Sequence, residues 1–297
     1  MDLNNSRSSS CSTGEDREMG PNADLRDGHQ SLLKNRKLWS ISPAALDSMR
    51  VVGAEFLGTF FMMFPVCGII ASTKIAEGAV GLLEYACAGG FAILVVIFAV
   101  GPISGAHVNP SITVAYAAIG EFPWSKVPLY VSAQTAGSAV ATYVGMMVYD
   151  MEADFANTRP LRGLKMAFFS ELIATSLIMF LGASMSDNAE AIGQLAGFAI
   201  AAAIALAVLI TGPISGGSLN PVRSLGPAIV SWRFESLWLY LTAPTIGALA
   251  GALLYRLLKL QPNQQSSTTA QTEATRSAVF GSVICETNLS THGLTAN

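Results

Sequence analysis

Six apolar stretches, each about 20 residues long, are the feature that most limits the fold of this chain. A helix of roughly that length crosses the hydrocarbon core of a bilayer. The stretches cover roughly 51–72, 79–100, 127–149, 166–186, 191–211 and 236–256. Only 12% of the residues are charged, about half the share that is usual in soluble domains. The sequence therefore predicts an all-α membrane protein with six transmembrane helices and argues against a cytosolic enzyme.

Polar tails flank the apolar block. Residues 1–50 and 259–297 are rich in polar residues, which bury too little apolar surface to fold, so we expect both tails to be disordered. The membrane domain would cover 51–258, with halves at about 51–149 and 166–258. An even number of spans puts both tails on one side, and basic residues beside the first and last spans indicate the cytoplasm. These are Lys34, Arg36, Lys37, Arg50, Arg256 and Lys259.

The chain contains an internal repeat. AEFLGTFFMMF matches SELIATSLIMF 116 positions later, and ISGAHVNP matches ISGGSLNP 111 positions later. Each half holds three spans, so the second half enters the membrane from the opposite face, which predicts an inverted-topology repeat. Residues 103–119 and 214–231 are too short to span, and we expect them to be re-entrant half-helices that meet near the midplane.

Each half carries an Asn-Pro pair, Asn109-Pro110 and Asn220-Pro221. Asn is favoured as an N-cap and Pro at the first helical position, so each pair predicts the start of a half-helix. If the side-chain oxygen caps its own helix, the amide N–H groups point at the junction. Two helix N-termini, each equivalent to about +0.5 charge, would repel cations there and tolerate neutral solutes that accept a hydrogen bond.

Six spans, the inverted repeat, AEFLGTF, SGAHVNP and SGGSLNPVRSLGP closely resemble the aquaporin (major intrinsic protein) family over roughly residues 50–258. FPW at 122–124, VPLY at 127–130 and Ala133-Gln134 resemble the plant nodulin-26-like subfamily. The resemblance implies an hourglass pore in each subunit, a homotetramer and a plasma-membrane location. It implies a passive channel and no enzyme activity.

Where the family usually has Ala after Asn-Pro, this chain has Ser111 and Val222. That pair resembles the subgroup that conducts boric acid and related metalloid acids such as arsenous acid. Glycerol, urea and water are further candidate solutes. We expect no cofactor, because the four cysteines lack metal-binding spacing, and no nucleic-acid partner, because the net charge is -3.

The family has a constriction of four side chains near the outer mouth of the pore. Spacing from the two Asn residues transfers this set to Gly89, Val208, Gly217 and Arg223. Two of the four positions lack a side chain, which predicts a wide opening with one positively charged donor. Gly89 is Ala in boric-acid-type relatives and Gly in silicic-acid-type relatives, so silicic acid stays open. Helix packing is the alternative role of Gly89.

Three other residues are candidates for special roles. Tyr85 lies one helical turn outward of Gly89, so its hydroxyl could meet Arg223 and restrict flow; the alternative is an aromatic residue at the membrane interface. Glu55 and Glu171 are equivalent carboxylates inside the membrane. We expect them to hold the re-entrant loops by accepting backbone N–H groups, and a proton relay is the alternative.

Two alternatives of other classes remain. A secondary transporter with an inverted repeat would use Glu55 and Glu171 as its ion site. An adhesive junction protein of the same fold would show negligible permeability.

Overall fold

The computed structural model describes residues 42–77, 80–193 and 195–259. Most of both predicted tails lies outside these ranges. The described residues form helices and turns without a β-strand. The helices are α1 (Pro43–Ile75), α2 (Leu82–Ser104), α3 (Pro110–Ala118), α4 (Val127–Tyr149), α5 (Leu164–Asp187), α6 (Ala189–Ile192), α7 (Leu195–Ser215), α8 (Pro221–Ser231) and α9 (Leu237–Lys259).

Six helices are long enough to cross a bilayer. Within the described ranges, five of them, α1, α2, α5, α7 and α9, are also strongly apolar along a full window. The sixth, α4, has 23 residues but carries buried polar side chains, Gln134, Ser138 and Thr142. Gln134 and Ser138 donate to Glu55 and Val222 O of neighbouring segments, and Thr142 donates to Ser138 O within α4. The polar side chains therefore lower the mean hydropathy of α4 while their polar groups are bonded inside the protein. The predicted all-α fold of six transmembrane helices and two half-helices is confirmed.

The two halves pack by exchanging their half-helices. The half-helix α8 packs against α4 of the first half, and α3 packs against α9 of the second half. Helices α5 and α9 approach closely at Gly247 and Gly251, where a Cβ atom would lie 2.2 Å from Leu172 O and 2.1 Å from Ser176 O. Any larger residue at these two positions would therefore force the helices apart.

Each half-helix starts at its Asn-Pro pair. The side-chain oxygen of Asn109 accepts the backbone N–H of Ser111 (2.9 Å), and that of Asn220 accepts the N–H of Val222 (3.1 Å). Both caps have extended backbone, and Pro110 and Pro221 follow as the first helical residues. The predicted helix starts are confirmed.

The helix bundle has two ends. At the first, called the α5/α9 end, Lys259 Nζ lies 2.5 Å from Asp187 Oδ2 and joins the last residues of α5 and α9. At the other, the α4–α5 loop (residues 150–163) carries a short 3-10 turn, Ala153–Ala156.

Candidate functional site

The two Asn side chains meet the opposite repeat. Asn109 Nδ2 donates to Leu219 O (2.9 Å), and Asn220 Nδ2 donates to Val108 O (2.8 Å). Each acceptor is the residue just before the other half's Asn, so the tips of the two re-entrant segments touch. Both caps are therefore fixed at one junction, with the N-termini of α3 and α8 on either side of it.

Two buried carboxylates hold the segments that lead to this junction. Glu55 accepts the backbone N–H groups of His107 (3.0 Å) and Val108 (2.8 Å). Glu171 accepts those of Ser218 (2.8 Å) and Leu219 (2.6 Å). A carboxylate is a strong acceptor for such N–H groups, which have no helical partner here. This pairing is the geometry expected of a structural role.

Hydroxyl groups complete both supports. Ser104 Oγ donates to Glu55 and Ser215 Oγ donates to Glu171, at 2.7 and 2.6 Å. Tyr130 and Tyr240 donate to the carbonyls of Ser104 and Ser215, at 2.7 and 2.8 Å. Each of these two carbonyls therefore has a hydrogen-bond donor within the protein.

His107 belongs to the same support in the first half. Its Nδ1 lies 3.2 Å from Thr113 Oγ1, which donates its own proton to Asn109 O and receives an N–H of Gln134. Because the Thr113 hydroxyl has one proton and it is already used, His107 Nδ1 must carry the hydrogen in this contact. The ring packs among Tyr116, Phe122 and Tyr130, so the loop is held on its polar and apolar sides.

One elongated cavity of about 1220 Å³ passes through the junction. At the α5/α9 end it is lined by Asp187 and Arg256, and in its middle by Asn109 and Asn220. At the other end its lining includes all four predicted constriction residues and Tyr85: Tyr85, Gly89, Val208, Gly217 and Arg223. The sequence-predicted residues are thus brought together around a single space.

The remaining members of the Asn-Pro motifs do not line this cavity. Ser111 and Val222 are fully buried behind it. Ser111 Oγ lies 3.0 Å from Thr245 Oγ1 of α9, and Val222 O accepts from Ser138 Oγ of α4 at 2.6 Å. Pro110 and Pro221 are also buried outside the lining. These four motif residues therefore lie behind the cavity wall, where Ser111 contacts α9 and Val222 O contacts α4.

The two glycines of the constriction leave space beside Val208. A Cβ atom on Gly89 would lie 3.9 Å from Val208 Cγ2, and one on Gly217 would lie 3.4 Å from Val208 Cγ1. Both glycines therefore border the Val208 side chain. Gly217 also has φ +65°, which disfavours a side chain for backbone reasons. Larger residues at Gly89 would narrow this part of the cavity.

Arg223 lines the cavity together with the two glycines and is held by two contacts. Its Nη1 donates to Ala156 O (2.6 Å) and its Nη2 donates to the Tyr85 hydroxyl (2.8 Å). The Tyr85 hydroxyl in turn lies 3.4 Å from Gly216 O. The cavity lining contains no residue of the α4–α5 loop, all of which the structure describes. Tyr85 and Arg223 therefore lie in contact at this end of the cavity lining.

Ala156, which sequence analysis did not single out, is positioned by an ion pair on the α4–α5 loop. Asp154 pairs with Arg159, and its other oxygen lies 3.6 Å from Arg233 Nε. The hydrogen bond from Arg159 is the main cause that lowers the pKa of Asp154 below its usual value. A backbone carbonyl has no residue-type signature, so no motif could have revealed the contact to Ala156.

Met62 and Ile178 were not predicted as cavity residues, although the repeat alignment indicates both positions. They precede the matched pair Met63 and Met179 by one position, and both line the cavity beside the junction. On a helix, the residue next to a fully buried one points in another direction. Extending the repeat alignment by one residue would have identified both.

Among the described residues, no group of three His, Cys, Asp or Glu side chains is placed to hold a metal ion. At the junction the donors are the two Asn amides and the acceptors are backbone carbonyls, while Arg223, Asp187 and Arg256 line the cavity toward its ends. Such groups bind and orient neutral polar molecules and supply no nucleophile or general base at the junction.

Comparisons with known proteins show the family of this chain. The model of the major intrinsic protein family matches residues 43–255. This chain is a member of the major intrinsic protein family. It is 54% identical over 217 residues to probable aquaporin NIP7-1 of Arabidopsis thaliana, covering 73% of this chain and 79% of that protein. It is 38% identical to aquaporin NIP6-1 of the same plant, over 76% of this chain and 74% of the relative.

A solved structure agrees with the fold. The aquaglyceroporin from Plasmodium falciparum superposes with a TM-score of 0.64 at 25% identity, over 70% of this chain and 95% of that one. Members of the major intrinsic protein family of this type are membrane channels for small neutral solutes, and this chain is a channel of that kind and not an enzyme. The resemblance to the plant nodulin-26-like proteins is confirmed.

Proposed function

We propose that this channel conducts boric acid and related metalloid acids such as arsenous acid, together with glycerol, urea and water. The observation that carries the proposal is the constriction, whose lining brings together Arg223, two glycines (Gly89 and Gly217) and the apolar Val208. Planar or tetrahedral molecules with several hydroxyl groups need such width, and a single forked donor suits their oxygens.

The junction supports a neutral solute. Two half-helices, of 9 and 11 residues, begin there with their positive ends toward one point. A cation would meet both of these ends and Arg223, so its passage is opposed. Boric acid is neutral at pH 7 and carries oxygens that accept from the two Asn amides. The same field is a reason against the alternative of a cation-coupled transporter.

Tyr85 would act as a gate in this proposal. Its hydroxyl accepts an N–H of Arg223 that would otherwise be available to a solute, and Tyr85 lines the cavity beside the constriction. A rotation of the Tyr85 side chain would open the cavity and free the guanidinium. We further propose a plasma-membrane location with both termini cytoplasmic, a homotetramer in which each subunit has its own pore, and a structural role for Glu55 and Glu171.

A filter exchange tests the solute class. Purified wild-type protein in proteoliposomes is exposed to gradients of boric acid, silicic acid, glycerol and water, with stopped-flow light scattering as the readout. The double variant Gly89→Phe, Val208→His imitates the narrow constriction of water-selective relatives. We expect it to lose boric acid and glycerol flux and to keep water flux.

The matched control is Val95→Phe, which adds the same bulk on the exposed side of α2. It should conduct like the wild type. Equal boric acid flux in the double variant and the wild type would contradict the assignment of the constriction. Silicic acid flux that exceeds boric acid flux in the wild type would favour the silicic-acid alternative.

A further inference from the structure

The junction is not symmetric, because a sulfur atom from α1 enters it on one side. Asn220 Nδ2 lies 3.5 Å from Met62 Sδ, in addition to its 2.8 Å hydrogen bond to Val108 O. An amide nitrogen has two N–H groups, and in this structure both of them have an acceptor. Among the described residues, Asn109 Nδ2 has one acceptor, Leu219 O.

The repeat supplies an internal comparison. Met62 corresponds to Ile178 at the offset of 116 that aligns Met63 with Met179. Both side chains are 6% exposed, and both line the cavity. Ile has no atom that accepts a hydrogen bond, whereas the Met thioether is a weak, polarisable acceptor on a flexible chain. The difference at the junction therefore comes from this one pair of residues.

We propose that Met62 is a specificity-determining residue of the pore, whose sulfur holds the free N–H of Asn220 when no solute is present and yields it to a hydroxylated solute. The inference rests on the proposed function for its choice of solute. An oxygen is a better acceptor than a thioether sulfur, so a solute oxygen displaces Sδ and the Met side chain moves aside.

This exchange sets the height of the barrier at the midpoint. A solute must break the N–H···S contact before it can use Asn220, whereas the corresponding N–H of Asn109 is available at once. Removing the sulfur without changing the volume of the side chain should therefore lower the barrier. We expect a gain of about two- to tenfold in permeability, the range that corresponds to one weak hydrogen bond.

The test uses full-length protein in proteoliposomes and stopped-flow measurement of boric acid, glycerol and water permeability. Met62→Leu keeps volume and apolar character and removes the sulfur. Ile178→Leu is the matched control at the equivalent position. Ile178→Met adds a thioether opposite Asn109. We expect Met62→Leu to raise permeability, Ile178→Met to lower it, and Ile178→Leu to leave it within twofold of the wild type.

Each set is also made with Tyr85→Cys, so that a closed constriction does not hide an effect at the midpoint. Equal changes in Met62→Leu and Ile178→Leu, or a fall in Met62→Leu, would overturn the role of the sulfur. If boric acid does not pass but water or glycerol does, the proposed function is contradicted. The role of the Met62 sulfur is then tested on the permeability of the solute that is conducted. A protein that passes none of the three solutes in either background would overturn both.

Discussion

The Tyr85 hydroxyl accepts a 2.8 Å hydrogen bond from Arg223 Nη2 across 138 positions of sequence. The guanidinium is buried, and its other terminal nitrogen is bound to Ala156 O. Both terminal nitrogens of the donor expected to orient solutes at the constriction therefore have a partner within the protein. In the proposed function, release of Arg223 by the Tyr85 side chain opens the pore.

Replacing Tyr85 should increase flux. Tyr85→Cys removes the ring and the hydroxyl, and Tyr85→Phe removes the hydroxyl alone. A hydrogen bond to a charged group contributes about 1.5–3 kcal/mol, so loss of the contact should raise boric acid permeability roughly ten- to a hundredfold. Stopped-flow scattering of proteoliposomes measures this. If Tyr85→Phe matches the wild type while Tyr85→Cys conducts faster, the ring and not the hydroxyl bond closes the pore; no change in either variant would remove the gate.

Replacing a buried carboxylate should destabilise the fold. Glu171→Gln keeps the shape but places an NH2 group against backbone donors of Ser218 or Leu219, which leaves buried N–H groups unpaired. We expect a loss of about 2–4 kcal/mol in stability, seen as a lower unfolding temperature in detergent. Glu84→Gln, on an exposed residue at the start of α2, is the control and should change little. A Glu171→Gln protein of wild-type stability whose uptake had lost a dependence on the proton gradient would support a relay instead.

The contact between α5 and α9 should tolerate no side chain at Gly251. A Cβ there would lie 2.1 Å from Ser176 O and 2.9 Å from Phe180 N. Gly251→Ala should therefore cost about 1–3 kcal/mol from overpacking, despite the higher helix propensity of Ala. Gly53→Ala is matched to it, since no atom lies within 4 Å of that Cβ, and it should be neutral or stabilising. Thermal unfolding followed by circular dichroism compares the two; equal unfolding temperatures would contradict the close approach.

The α4–α5 loop should respond to loss of charge on Asp154. Its pKa is lowered by the hydrogen bond from Arg159, so the stabilisation is present above the unfolded value of 3.8 and is lost as pH falls through the lower folded value. Titration of Asp154 should therefore not affect flux near neutral pH, where the ion pair is intact. Asp154→Asn removes the ion pair at any pH, should loosen the Ala156 carbonyl on Arg223, and should change the ratio of boric acid to water flux. Glu152→Gln, on the same loop, is the control. A ratio at pH 7 that is the same in both variants would show that the ion pair does not position Arg223.

Much of the site could be predicted because both halves of the repeat carry the same motifs. The alignment of Asn109 with Asn220 and of Glu55 with Glu171 requires symmetric loops and symmetric supports, and the structure has both. Spacing from the Asn residues also brought the four constriction residues to one cavity. Asn-Pro pairs and carboxylates inside a membrane have few possible structural roles, so their positions could be interpreted from the sequence.

Other parts of the site have no such signal. Ser111 and Val222 follow Asn-Pro directly, yet successive residues of a helix point in different directions, and Ser111 Oγ contacts α9 while Val222 O contacts α4. Ala156 acts through its carbonyl, which every residue has. The Met62 sulfur contacts Asn220 although the two residues are 158 positions apart in the sequence. A local sequence pattern cannot predict a contact at that separation.

The most direct test is boric acid uptake into proteoliposomes that contain the wild type or Tyr85→Cys, measured over a range of gradients with and without a protonophore. The account predicts uptake above protein-free vesicles, proportional to the gradient, unchanged by the protonophore and faster in Tyr85→Cys. Uptake that equals protein-free vesicles in both proteins, or that requires a proton gradient, would contradict it.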